Sequence, residues 1–184
     1  MDRILGYPIK EDRKSAIEEL TNGITSVTVE ESSLGIIYNI KNADNHILFT
    51  EGITDKIILE TAWEKLYPTK DRNFYIQDCF SANFLGALFN QGDELPDGIF
   101  HQFPHKTLIA LFDFDESGYA NWNRKKFANL IEEDPAKCLT RHNNANGYLV
   151  LLPTTNKKLI MDLVIKGGND TFKNESKLTI ESLF

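Results

Sequence analysis

The 184-residue sequence has only two cysteines, Cys79 and Cys138, far apart and in no CxxC spacing. That scarcity excludes a disulfide framework and a cysteine-built zinc site, and makes a reducing cytoplasm the expected compartment. No apolar run approaches the ~20 residues that cross a bilayer. The first residues do not follow the basic-then-apolar order of a secretory signal either, so neither a membrane span nor an export segment is expected. Six prolines and 11 glycines are too few for a low-complexity chain. No internal repeat occurs, and GxxxxGK[ST], the phosphate-binding loop of many ATPases, is missing. Basic residues fall short as well: 20 Lys and Arg stand against 27 Asp and Glu, a net charge of −7 and a pI near 5.1. Such a chain does not coat nucleic acid by bulk charge, because that binding runs on cations neutralising phosphates. An enzyme whose carboxylates hold metal ions escapes this exclusion.

What is present is enough for a packed core. Hydrophobic residues make up 41% and aromatics 11%, and the length suits one domain with a short appendage. The pattern changes near residue 45. Before it, residues 11–20 read as a short polar helix ended by Asn22 and Gly23, and residues 24–29 and 34–40 as two strands. After it, strands and helices alternate. HILFT (46–50) is followed by Glu51, Gly52 and a helical TDKIILETAWEKLY, and FYIQ (74–77) by a helix ending at Gly92. TLIALFDF (107–114) precedes SGYANWNRKKFANLIEE, read as a helix that Pro135 ends, and YLVLLP (148–153) is a fourth strand. Residues 154–179 read as loop, with a last strand or helix beginning in LTIESLF. Apolar strands separated by helices predict an α/β fold with a mostly parallel sheet covered on both faces. A domain over 46–184 then follows a small α+β appendage over 1–45.

In such sheets ligands collect at the carboxyl ends of the strands, and two acidic clusters fall there. Glu51 ends HILFT, Gly52 lets the chain turn, and Asp55 enters the first turn of the next helix, where it could equally serve as an amide-capping charge. In LIALFDFDESG, Asp113 and Asp115 are two apart and can project to one side, with Glu116 beyond them, although Asp115 through Gly118 could equally be an ordinary acidic turn capping the next helix. Carboxylates held close raise one another's proton affinity, and a divalent cation relieves the conflict. Mg²⁺ prefers oxygen ligands together with substrate phosphates, which suits phosphate-ester chemistry.

Together, FTEGITDKIILETAWEKLY and LIALFDFDESG resemble a Toprim domain, the metal-binding module shared by topoisomerases, bacterial primases and several nucleases. The first motif is particularly similar to the OLD (overcoming lysogenisation defect) nucleases of bacterial antiphage systems. The resemblance covers residues 46–184. It implies a Rossmann-like Toprim sheet and metal-dependent cleavage of DNA or RNA with two Mg²⁺ or Mn²⁺ ions. Glu51, Asp113 and Asp115 match the catalytic acids, while Asp55 and the Glu181 of TIESLF match the acids of a second metal. One ion would lower the pKa of a water, and the other would steady the leaving oxygen. OLD nucleases carry an ATPase upstream, so an ATPase partner or further domain is implied, and a homo-oligomer is compatible. The match runs to Phe184, so a basic catalytic residue would come from beyond it or from Lys157, Lys158, Lys166 or Lys177.

Three further features have plainer readings. His101 and His105 are separated by Pro104, which spoils a helical metal pair. Arg124, Lys125 and Lys126, expected on the helix after the DxD, suit a solvated face or a nucleic-acid strand entering the site. Trp63, Trp122 and Phe127 are expected in the core or in subunit contacts. Two rival functions stay open: a haloacid-dehalogenase-type phosphatase with Asp113 as nucleophile, and a silent Toprim module that binds nucleic acid or an ATPase without cutting.

Overall fold

The computed structural model describes residues 33–43, 46–92, 98–154, 165–166, 170–171 and 177–183. The chain divides into two compact units, Met1–Asn39 and Ile40–Phe184. The helix expected over 11–20 and the strand over 24–29 lie outside the described residues. Residues 33–42 form a helix, α1, and not the strand expected over 34–40. The reason is spacing: Ile36 and Ile40 are buried four apart while Leu34 and Tyr38 are exposed, the period of a helix rather than of a pleat.

The larger unit is α/β. A six-stranded sheet runs in the order β2-β1-β3-β7-β6-β5. Its strands are β1 (His46–Thr50), β2 (Tyr75–Asp78), β3 (Thr107–Phe112), β5 (Asn129–Glu132), β6 (Leu139–His142) and β7 (Gly147–Leu151). The first four in that order are parallel, and β6 and β5 add an antiparallel edge. The remaining helices are α2 (Ile53–Leu66), α3 (Ala82–Gln91), α4 (Ile99–Gln102) and α5 (Glu116–Trp122). α2 packs against β1 and β2, while α3 and α5 pack on each other and against β3; with the usual right-handed crossover they lie on opposite faces of the sheet.

Burial follows that division. Ile47 and Phe49 of β1, Leu108, Ala110 and Phe112 of β3, and Leu149 and Leu151 of β7 share the α3/α5 face and are all at most 1% exposed. Over them Phe89 meets Phe49 and Phe100 edge-on at 5.3 and 5.4 Å, an arrangement that suits the ring quadrupoles. The helices approach closely because Gly86 of α3 has no side chain; a Cβ there would sit 2.0 Å from Asn121 Oδ1. Trp122 and Phe127 are core residues, as expected, at 4% and 1% exposure. Trp63 is half-buried, edge-on to Phe74 at 5.1 Å.

The helix expected to run from Ser117 to Glu133 stops at Trp122. The Phe127 amide bonds back to the Arg124 carbonyl, turning Phe127 toward Phe89 and Phe100. Residues 129–132 then pair with 139–142. Tertiary pairing here outweighs a helical propensity that was real but local. The stretch expected as loop also holds short strands: β8 (Ile165–Lys166) pairs with β9 (Asp170–Thr171). More consequentially, β10 (Lys177–Leu178) pairs antiparallel with β4 (Phe114–Asp115), the short strand just after Asp113.

Candidate metal centre

The winding of the sheet reverses between β1 and β3, since β2 lies on one side of β1 and β3 and β7 on the other. A crevice at the carboxyl ends of the strands belongs at such a reversal. Glu51 directly follows β1 and Asp113 directly follows β3, and the parallel register sets the two strand ends side by side.

Each acid is then fixed by a backbone amide. Glu51 Oε1 accepts from the Asp113 amide at 3.0 Å, and Asp55 Oδ2 accepts from the Gly52 amide at 2.8 Å in the first turn of α2. Asp113 Oδ1 accepts from the Ile180 amide at 3.0 Å. This last bond depends on the β4–β10 pairing, which delivers the 3₁₀ turn Ile180–Leu183 and with it Glu181. One carboxylate oxygen from each of Asp55, Asp113 and Glu181 lies within 4.8 Å of the others.

Such crowding raises proton affinity. Burial is the largest cause at Glu51, and the charges of Asp113, Asp115 and Asp55 add to it; together they outweigh the Asp113 amide bond and push Glu51 up to about 8. Burial, and then the Asp55 charge, push Asp113 up to about 7 against the pull of the Ile180 amide. Asp55 is raised by burial and by Glu181. Among the described residues, no lysine or arginine forms an ion pair with any of these four acids. A set of converging carboxylates without a compensating cation fits a hard divalent ion, which brings the missing charge and prefers oxygen ligands.

No known protein family, curated protein or solved structure matches the chain.

The remaining acids divide. Asp115 loads its charge onto both Glu51 and Asp113, but its own carboxylate caps α5, accepting from the Gly118 amide at 2.7 Å. The strand breaks at Asp113, so Asp113 and Asp115 do not stand together on one continuous pleat. Asp115 is accordingly outside the three-acid cluster, and Glu116 is exposed on the first turn of α5. The capping role that competed for Asp55 is real, yet the same side chain also joins the cluster.

One residue essential to this geometry does more than the sequence alone assigns to it. Gly118 is buried, and a Cβ on it would lie 2.0 Å from the Asp113 carbonyl oxygen and 3.1 Å from Glu51 Oε1. The close approach of α5 to both strand ends therefore needs glycine. Its signal was a glycine three residues after a capping aspartate.

The basic run lies elsewhere. Arg124, Lys125 and Lys126 are in the loop after α5 and not on the helix, at the end remote from Asp115. Arg124 turns inward to bond buried Asn121, and Lys126 Nζ reaches the Asn90 carbonyl at 3.1 Å. Of the four lysines expected as a basic partner, Lys157 and Lys158 lie outside the described residues, and Lys177 stands opposite Asp115 in the β4–β10 register. His101 and His105 are exposed and take no part in the acid cluster. A cleft of about 680 Å³ lined by Trp63, Tyr67, Phe74 and Tyr75 opens at the far end of α2, away from the acids.

Proposed function

We propose that this chain is a divalent-metal-dependent nuclease, a Toprim module of the OLD type that hydrolyses phosphodiester bonds of DNA or RNA, working with an ATPase in antiphage defence. The observation that carries the reading is the convergence of Asp55, Asp113 and Glu181, from three distant segments, to within 4.8 Å beside the half-buried Glu51. Asp55, Asp113 and Glu181 would hold one Mg²⁺ or Mn²⁺, and Glu51 and Asp113, with the charge of Asp115 alongside, the other. When bound, the ions supply Lewis acidity toward phosphoryl oxygens and acidify a water.

The chain contributes position and proton handling. Glu51 has one oxygen held by the Asp113 amide, which leaves the other for an ion or a proton. A carboxyl with its proton affinity raised toward neutrality can exchange a proton at working pH. The β4–β10 register favours Lys177 for the basic role beside the scissile phosphate.

The test is incubation of the chain, alone and with a candidate ATPase, with supercoiled plasmid, linear DNA and tRNA in Mg²⁺ or Mn²⁺. Wild type is compared with Glu51→Ala and Asp113→Ala. Cleavage lost in both variants is the expected result. Cleavage unchanged in both overturns the site. No cleavage of any substrate favours the silent module, and phosphate release from small monoesters that needs Asp113 but not Glu51 favours the phosphatase.

A further inference from the structure

β2 ends at Asp78 and passes into α3 through one tight turn. The Ser81 amide donates to the Cys79 carbonyl at 2.7 Å, and Phe80 between them has φ 63°, in the left-handed region. An i to i+2 bond about a residue of positive φ is a γ-turn of the rarer, strained form, and for a bulky residue this conformation is a genuine outlier. Burial does not offset the strain. The side chain is 64% exposed, and its ring meets Phe84 edge-on at 5.8 Å. Glycine or asparagine would make the same turn with less strain. A backbone outlier that packing does not explain points to a function.

Phe80 stands at the end of the sheet that carries the acids. Parallel register sets Thr50 opposite Asp78, and the Cys79 amide donates to the Thr50 carbonyl at 3.0 Å. The residue before Phe80 is thus bonded to the residue before Glu51, on strands that neighbour each other at about 4.8 Å. Successive nucleotides advance ~3.4 Å even when stacked, so a strand with one phosphate at the acids sets a base roughly one or two nucleotides along over the end of β2. In a duplex that base is paired and stacked on its neighbours, which closes its face to a protein ring. In a single strand the face is open, and aromatic side chains are what such bases stack on.

We propose, resting on the nuclease reading, that Phe80 is a stacking platform for an unpaired base next to the scissile phosphate, and that the substrate is therefore single-stranded DNA or RNA. The γ-turn fixes where the ring leaves the backbone, and Phe84 bounds it on one side. A ring held in this way loses little freedom when a base settles on it, which is the advantage of a platform built before the substrate arrives.

Fluorescence anisotropy of the full chain with a labelled ~15-nucleotide DNA strand, its RNA equivalent and the DNA duplex, with Ca²⁺ in place of Mg²⁺, tests this. One or both single strands should bind more tightly than the duplex. Phe80→Ala should weaken single-strand binding ~10-fold without changing its salt dependence, because stacking neutralises no phosphate. Phe80→Trp should retain it. Phe80→Gly should bind like the alanine variant and yet melt no lower than wild type, since glycine takes the turn without strain; a ring with a purely structural role would lower the melting temperature. Single-strand binding unchanged in Phe80→Ala, a duplex bound as tightly as either strand, a destabilised Phe80→Gly, or no binding to any strand would each overturn the platform. Glu51→Ala and Asp113→Ala separate it from the reading beneath it. Cleavage that persists in both sinks the metal site and leaves the binding result standing, whereas cleavage lost in both, with binding indifferent to Phe80, sinks the platform alone.

Discussion

Glu51→Gln separates charge from shape at the centre of the site. The amide oxygen of Gln can still accept from the Asp113 amide, as Glu51 Oε1 does at 3.0 Å, so the contact survives and the ionisation goes. In the fold Glu51 keeps its proton up to about pH 8, against an ordinary value of 4.5. Between those two values the folded chain binds more protons than the unfolded chain. Stability therefore falls as pH rises through the window, and the whole loss is present above about pH 8. At ~1.4 kcal/mol per pH unit the loss has a ceiling of ~5 kcal/mol. Water on the open side of the cluster screens it, and ~2–3 kcal/mol is the expected size. Urea unfolding midpoints in EDTA, read at about pH 5 and about pH 8.5 and converted with a common slope, measure it. The Gln variant should gain ~2–3 kcal/mol on wild type between the two pH values. On the proposed metal reading, millimolar Mg²⁺ should return the advantage to wild type, because an ion held by the folded carboxylates stabilises the folded chain and not the open one. A stability difference that does not change with pH, or that grows in the opposite direction, refutes the reasoning.

Two further outcomes follow from the same geometry. Gly118→Ala forces α5 away from Asp113 and Glu51 and should cost ~1–3 kcal/mol in denaturant unfolding, with a larger loss of cleavage than of stability; unchanged activity would count against the close approach. Glu181→Gln, at an exposed position, should leave the melting temperature in EDTA within a degree or two of wild type while weakening Mn²⁺ binding in calorimetry ~10-fold or more.

The alternation of apolar strands and helices was legible because parallel strands buried on both faces read as apolar throughout. HILFT, TLIALF and YLVLL accordingly stand close to where the periodicity put them. The β5–β6 hairpin was not legible. FANLIEE carries a helical spacing, and only the distant partner 139–142 makes it a strand. The same limit applies to α1, where short spacings of isoleucine fit both periods. At the site, Glu51, Asp55 and Asp113 stood out as charges at strand ends and a helix start. Glu181 came from a family resemblance alone, since its place depends on a two-residue pairing between segments more than 60 positions apart. Gly118 was legible only as the end of a capping turn, because its further meaning lies in what a side chain would strike.

The β4–β10 pairing also sets a schedule. A chain emerging from the ribosome presents β1, α2 and β3 long before residues 177–183 exist, and domains fold progressively from the N-terminus. Until that last segment arrives, Asp113 lacks the Ile180 amide that orients it, and the third carboxylate is missing. A nascent or prematurely ended chain would thus carry most of its sheet with an unassembled acid cluster. On the proposed reading of the site, competence to bind a divalent ion would come only after translation has passed Glu181.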